Sequence, residues 1–170
     1  MSESSSKKPK QSPSLKARAL RLLSLREYSR KTLAAKLAES EARWAKSIET
    51  ESAPQASTLS IEAVLDDFEA RGWLSDERFA EALVRRRSER YGARKIQEDL
   101  QRAGIDPRQS ANLLADLKET EFERAYELWS RKYGVKAQDQ KERARQYRFL
   151  ASKGFGLDVV AKIIGGQIPD

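Results

Sequence analysis

Neither cysteine nor histidine occurs in the 170 residues. That removes disulfides and thiolate metal sites, and with them the imidazole that most often binds zinc or serves as a general base near neutral pH. Long apolar runs are missing too. No stretch approaches the roughly 20 apolar residues that a membrane-spanning helix needs, and the polar N-terminus has no hydrophobic signal core. A soluble, cytoplasmic protein is expected. The chain has no phosphate-cradling glycine loop with its lysine, no carboxylates at metal-ligand spacing and no nucleophile-base motif. The adjacent acids Asp66 and Asp67 point about a hundred degrees apart on a helix and cannot share a metal. Neither catalysis nor a cofactor is expected.

What the chain has in quantity is charge. Charged residues make up 35% and hydrophobic residues 39%, a thin apolar supply spread evenly along the sequence. Helices with one apolar stripe use such a mixture well. Thirty-three Lys and Arg against 26 Asp and Glu give +7 and a pI near 9.7, which favours a polyanion or an acidic protein face as partner.

The stretch from Phe68 to Ile105 holds the grammar of the whole. Phe68 stands four residues before Gly72, with Trp73 just after it. A glycine at the position after a helix can adopt the left-handed conformation, and the next residue then folds back onto the apolar residue five before it. Trp73 should touch Phe68. The same stop recurs as Leu100 to Gly104 with Ile105, and as Leu150 to Gly154 with Phe155.

Taken in order, residues 1–14 form a basic tail, rich in serine, lysine and proline, with too little apolar surface to order it. Ser14 caps a first helix carrying Leu15, Ala19, Leu22 and Leu23, and Ser29 caps a second with Leu33 and Leu37 inward. This second helix runs on through Ala42, Trp44 and Ala45 to about Ile48. A flexible segment around Pro54 follows, from Glu49 to Leu59. Ser60 is then expected to cap a third helix with Ile61, Val64, Leu65 and Phe68 inward.

Ser75 caps the next helix, with the stripe Phe79, Ala80, Leu83 and Val84. After a turn at Tyr91 and Gly92 comes a helix with Ile96 and Leu100. Asp106 and Pro107 open another, with Ala111, Leu114 and Leu117. The last group begins with Phe122, Ala125, Tyr126 and Trp129, turns at Tyr133 and Gly134, resumes near Lys141, and ends with Val159, Val160, Ile163 and Ile164 before Gly165 and Gly166. The expected fold is all-α: an elongated, curved array of three tandem three-helix repeats, at 15–74 (with an insertion at 40–59), 75–118 and 119–166. Each repeat is too small to hide its apolar face alone and should need its neighbour.

Aligned without gaps from Ala17, Ala80 and Phe122, the repeats bring Tyr28, Tyr91 and Tyr133 to one turn. Leu23, Arg86 and Leu128 then become equivalent, as do Ser24, Arg87 and Trp129. The middle repeat places arginine where the others place the apolar Leu23, Leu128 and Trp129. Arginine stems covering a core edge, or a plain solvated face, account for most charge runs. The alternative is an anion-facing patch of Arg85, Arg86, Arg87, Arg90, Arg94 and Lys95, since a planar guanidinium binds phosphate or carboxylate at two points. A second basic group, Lys141, Arg143, Arg145 and Arg148, either extends that surface or is solvated. The repeated tyrosines either stack on bases or pack at the helix junction, the commoner use of an aromatic there.

The phrase from Gly72 to Ala82, GWLSDERFAEA, resembles the central signature of the RecX regulatory proteins of bacteria. Tyr91-Gly92, Arg94-Lys95, Ile96, Leu100 and Gly104-Ile105 continue the likeness, and Arg148-Phe149-Leu150 with Gly154-Phe155 is similar to the family's C-terminal pattern. It covers about Leu15 to Ile164. The chain departs from the family where a short glycine turn gives way to the insertion Ser40 to Leu59. The resemblance implies a non-enzymatic modulator that lies in the groove of the RecA nucleoprotein filament, restrains its ATPase and strand exchange, and so acts in recombination, repair and the SOS response; a monomer is expected. Single- or double-stranded DNA would be a further ligand of the basic face. A different reading is a helical-repeat DNA-binding or adapter protein that acts through its basic face without RecA.

Overall fold

The computed structural model describes residues 13–47 and 58–170. Among them are nine helices and no strand, so the chain is all-α. It divides into two compact units, Met1–Leu74 and Ser75–Asp170. Most of the basic tail and residues 48–57 of the expected insertion lie outside the described residues.

The first unit holds α1 (Leu15–Leu23), α2 (Arg30–Ser47) and α3 (Thr58–Ala70). Ser14 Oγ accepts the Ala17 amide at 3.2 Å. Ser29 and Thr32 cap α2 reciprocally, with Ser29 Oγ accepting from the Thr32 amide at 3.2 Å and Thr32 Oγ1 accepting from the Ser29 amide at 3.0 Å. These bonds satisfy amides that a helix start leaves without partners. Leu33 and Leu37 of α2 meet Ile61, Val64, Leu65 and Phe68 of α3 in one apolar cluster with Ala19 and Tyr28.

One expectation needs correcting here. Ser60 does not cap α3, because the helix already starts at Thr58 and places Ser60 in its first turn. As the spacing predicts, the second helix runs on well past Ser40, to Ser47. Residues 40–47 continue α2, and Arg18 of α1 holds them by donating to Ser40 Oγ at 2.8 Å and pairing with Glu41. Arg30, the first residue of α2, reaches three acids spaced along α3, Glu62, Asp66 and Glu69, at 2.5, 2.8 and 2.7 Å. These carboxylates hold the guanidinium well above its ordinary value, hydrogen bonding to Glu62 being the largest cause. The unit closes as the glycine stop requires. Gly72 has φ +71°, the Trp73 amide donates to the Phe68 carbonyl at 2.9 Å, and the two rings meet edge to face at 5.4 Å.

The second unit holds two three-helix groups: α4 (Asp76–Arg87), α5 (Ala93–Arg102) and α6 (Pro107–Glu119), then α7 (Glu121–Lys132), α8 (Gln140–Ser152) and α9 (Leu157–Gly165). Ser75 caps α4, and Asp106 with Gln109 forms a full capping box on α6 after which Pro107 fits the first turn. On α6 the inward face is displaced from the expected one: Ser110 is buried and Ala111 exposed, with Leu113, Leu114 and Leu117 against the core. A Ser110 hydroxyl can face inward because it donates to the Pro107 carbonyl of its own helix.

Each group has its own apolar cluster, one around Leu83, Ile96, Leu100 and Leu117, the other around Trp129, Leu150, Phe155 and Ile163. What joins the two groups is largely backbone and charge. The Gly92 amide donates to the Lys153 carbonyl at 2.9 Å. A Cβ on Gly92 would lie 2.3 Å from the Gly154 carbonyl oxygen, so only glycine lets the α4–α5 turn approach the α8–α9 turn this closely. Neither α5 nor α9 has a capping side chain of its own, since Gly92 and Gly156 occupy those positions. The buried Glu121 of α7 supplies both, with Oε1 accepting from the Ala93 amide at 2.8 Å and Oε2 from the Gly156 amide at 3.4 Å.

Candidate nucleic-acid interface

The groove begins with the ends of helices. Arg131 and Lys132 close α7, Lys153 caps the end of α8, and Arg90 stands in the turn after α4. Cations in these places complement the negative ends of helix dipoles, and the same positions gather them on one side of the unit. They line a hollow of about 410 Å³ together with Glu89, Leu128 and Phe149. It adjoins a second hollow of about 580 Å³ lined by Lys132, Tyr133, Arg145, Arg148, Phe149 and Ser152. Lys132 and Phe149 belong to both. The combined groove presents six cations, Arg90, Arg131, Lys132, Arg145, Arg148 and Lys153, and one acid, Glu89.

Aromatic rings organise these charges. Lys132 Nζ lies 4.3 Å from the centre of the Phe149 ring and Lys153 Nζ 5.5 Å from it. Tyr133 packs edge-on against the same ring at 5.6 Å. Lys153 also reaches the Tyr91 ring, at 5.4 Å, which Arg87 approaches at 4.5 Å. The tyrosines thus pack at their junctions: Tyr28 is buried in the first unit, and Tyr91 and Tyr133 are held by their neighbours.

The basic residues singled out from the sequence fall into three sets. Arg90, Arg145 and Arg148 line the groove, with Arg145 also 3.5 Å from Glu142 on its own helix. Arg87, Arg94 and Lys95 are engaged elsewhere. Arg87 Nε sits 2.8 Å from the largely buried Asp99 carboxylate, an ion pair although its angle is poor for a hydrogen bond. Arg94 donates to the Ala151 carbonyl at 3.0 Å. Lys95 lies 3.7 Å from Glu98 and packs its stem where a Gly154 side chain would otherwise stand. Arg85, Arg86, Lys141 and Arg143 are exposed and line neither hollow. Helical spacing puts Lys141, Arg145 and Arg148 on one side of α8 and Arg143 on another.

Sequence reasoning missed Arg131, Lys132 and Lys153. Their signal was available: each stands within three residues before a glycine stop, Gly134 or Gly154, where a cation belongs at a helix end. It also missed Arg124. This residue of α7 donates to the Ser88, Tyr91 and Leu117 carbonyls at 2.6, 2.9 and 2.6 Å, and so holds the ends of α4 and α6. Burial pushes its guanidinium below the ordinary value, with Glu121 and Glu123 opposing. Among the described residues no group of acids could hold a metal ion, and no helix is long and apolar enough to cross a membrane.

The second unit is thus a pair of three-helix groups that carry an open, cationic groove, the architecture of a helical-repeat protein. Residues 75–112 match the second three-helix domain of RecX and residues 119–164 the third. The regulatory protein RecX of Leptothrix cholodnii is 44% identical over 89% of this chain and 87% of its own length. That of Herminiimonas arsenicoxydans is 45% identical over 84% and 85%. The crystal structure of RecX from Lactobacillus salivarius superposes with a TM-score of 0.64 at 21% identity, covering 89% of this chain and 92% of that one. The chain belongs to the RecX family of regulatory proteins.

Proposed function

We propose that this protein is a non-enzymatic, monomeric modulator of the RecA filament on DNA, acting in the cytoplasm in recombination, repair and the SOS response. The supporting observation is its membership, over most of its length, of a family whose relatives are named regulatory proteins. The groove between α7, α8 and the end of α4 is its contact with the filament. Six cations around one acid suit a surface where nucleic acid and acidic protein lie close together.

The test is DNA-dependent ATP hydrolysis by RecA, titrated with this protein. Changing Arg131, Lys132, Arg148 and Lys153 together to Gln should weaken inhibition strongly and leave the fold intact, since all but Lys153 are exposed. Changing Arg108, Lys118, Lys141 and Arg143 together to Gln, four exposed cations that line neither hollow, is the control for net charge. A folded fourfold variant that inhibits like the parent removes the groove from the interface, and a parent that never inhibits removes RecA.

The reading in which the basic face binds DNA without RecA is favoured by one feature, the concentration of charge in a single groove. Salt separates the two, because phosphate-driven affinity falls steeply with ionic strength while a protein interface retains affinity.

A further inference from the structure

Phe149 is the most conspicuous groove residue for a nucleic acid to use, since exposed aromatics stack on bases in many single-strand-binding proteins. Its surroundings argue against that use here. Two ammonium groups, those of Lys132 and Lys153, already lie 4.3 and 5.5 Å from the ring centre. A third neighbour, Tyr133, meets it edge-on at an interplanar angle of 83°. A base stacking on the ring would have to compete with these three neighbours for it. Tyr91 is likewise occupied, by Arg87 and Lys153. Both lysines are long, flexible side chains, and an aromatic face holding the ammonium limits their freedom while leaving their other donors available.

From this we infer that Phe149 is a positioning residue: it racks Lys132 and Lys153 for the phosphate chain of a nucleic acid, and the groove reads that chain without stacking on its bases. The inference rests on the proposed use of the groove and specifies what the groove takes hold of. The ligand class is a sugar–phosphate backbone. Arg148 and Arg131, on either side, extend the same line of charge.

The test compares the full chain binding two fluorescent oligomers of equal length, an oligothymidylate and an abasic sugar–phosphate strand, over a series of salt concentrations. Equal affinity, within about twofold, is expected, whereas a stacking groove would weaken about fivefold or more for each base removed. Phe149→Leu keeps every charge, so it should weaken binding by about two- to fivefold for each lysine released, with the salt slope unchanged. Phe149→Tyr should restore the parent value. Lys132→Gln with Lys153→Gln should instead lower the slope itself, by roughly 0.7 for each phosphate that is no longer neutralised.

A merely structural Phe149 would shift the melting midpoint of the leucine variant and leave the binding of its folded fraction unaltered, which overturns the positioning role. Clear preference for the thymidylate overturns backbone reading, and so does equally tight binding of polyglutamate, which would make the groove a general anion site. If the parent binds neither oligomer yet still restrains RecA, the inference fails while the proposed function stands.

Discussion

Glu121 and Arg124, one turn apart on α7, close opposite ends of helices that belong to the preceding and the same repeat. The carboxylate takes the amide starts of α5 and α9, and the guanidinium takes the carbonyl ends of α4 and α6. Each charge meets the helix end of opposite polarity. This explains why glycine suffices at positions 92 and 156, where serine or aspartate would normally stand: the cap arrives from another helix. At Gly156 a side chain would also crowd the carboxylate, since a Cβ there would come within 3.3 Å of Glu121 Oε2.

Glu121→Ala should therefore cost on the order of 2 kcal/mol, because two helix starts lose their acceptor and one of them is buried. Urea unfolding of the parent and the variant measures it. A loss no larger than that of an exposed glutamate such as Glu127 would show that the amides find other partners.

Two glycines separate two kinds of constraint. Gly72 has φ +71° and open space around its Cβ position, so Gly72→Ala should show only the backbone strain of the left-handed region, about 1 kcal/mol. Gly92 has an ordinary φ of −78° but no room, and Gly92→Ala must force the two turns of the second unit apart. The larger fall in melting temperature is expected at Gly92. Equal falls would mean that the turns yield easily.

Arg87→Gln should destabilise by about 1 to 2 kcal/mol, because it leaves the largely buried Asp99 with Arg102 as its remaining ion-pair partner. Adding Asp99→Asn should recover part of the loss, and a double-mutant cycle on unfolding free energies gives the coupling. Strict additivity would show that the pair is idle.

Asp67 supplies a pH dependence. Hydrogen bonds from Arg71 and then Lys16 hold its carboxyl below the ordinary aspartate value. A lowered folded value means a contribution that is complete above the unfolded value of about 3.9 and is lost as pH falls through the folded one. At the helix surface solvent screens such a partly exposed carboxylate, so the effect should be small. Melting midpoints of the parent and Asp67→Asn should separate above about pH 4 and draw together as pH falls below the ordinary aspartate range. Parallel curves across that window would exclude it.

Much of the fold was legible because its signals are local. Ser14, Ser29, Ser75 and Asp106 announce helix starts within three residues, and Gly72, Gly104 and Gly154 announce ends. The failures at Ser60 and Ala111 are equally local, a helix begun two residues earlier and a face turned by one position. Less of the groove could be read. Arg90, Arg145 and Arg148 were visible as charge runs, but runs do not reveal which cations a carboxylate has already taken. Arg87 differs from Arg90 only through Asp99, twelve residues away in sequence and on another helix. Glu121 and Arg124 looked like ordinary surface charges, since nothing near them in sequence shows the helix ends they cap.

Arg87 and Asp99 occupy positions that aromatic rings hold in the last repeat. Matching the glycine stops aligns Leu100 with Leu150 and so sets Asp99 against Phe149, while Arg87 answers to Trp129. The middle repeat balances its arginine internally and carries no ring where the last repeat has Phe149. The same two positions thus hold an ion pair in the middle repeat and two rings in the last. A polyanion seated in the proposed groove would take cations from both repeats of the second unit at once, so occupancy would count chains and not repeats.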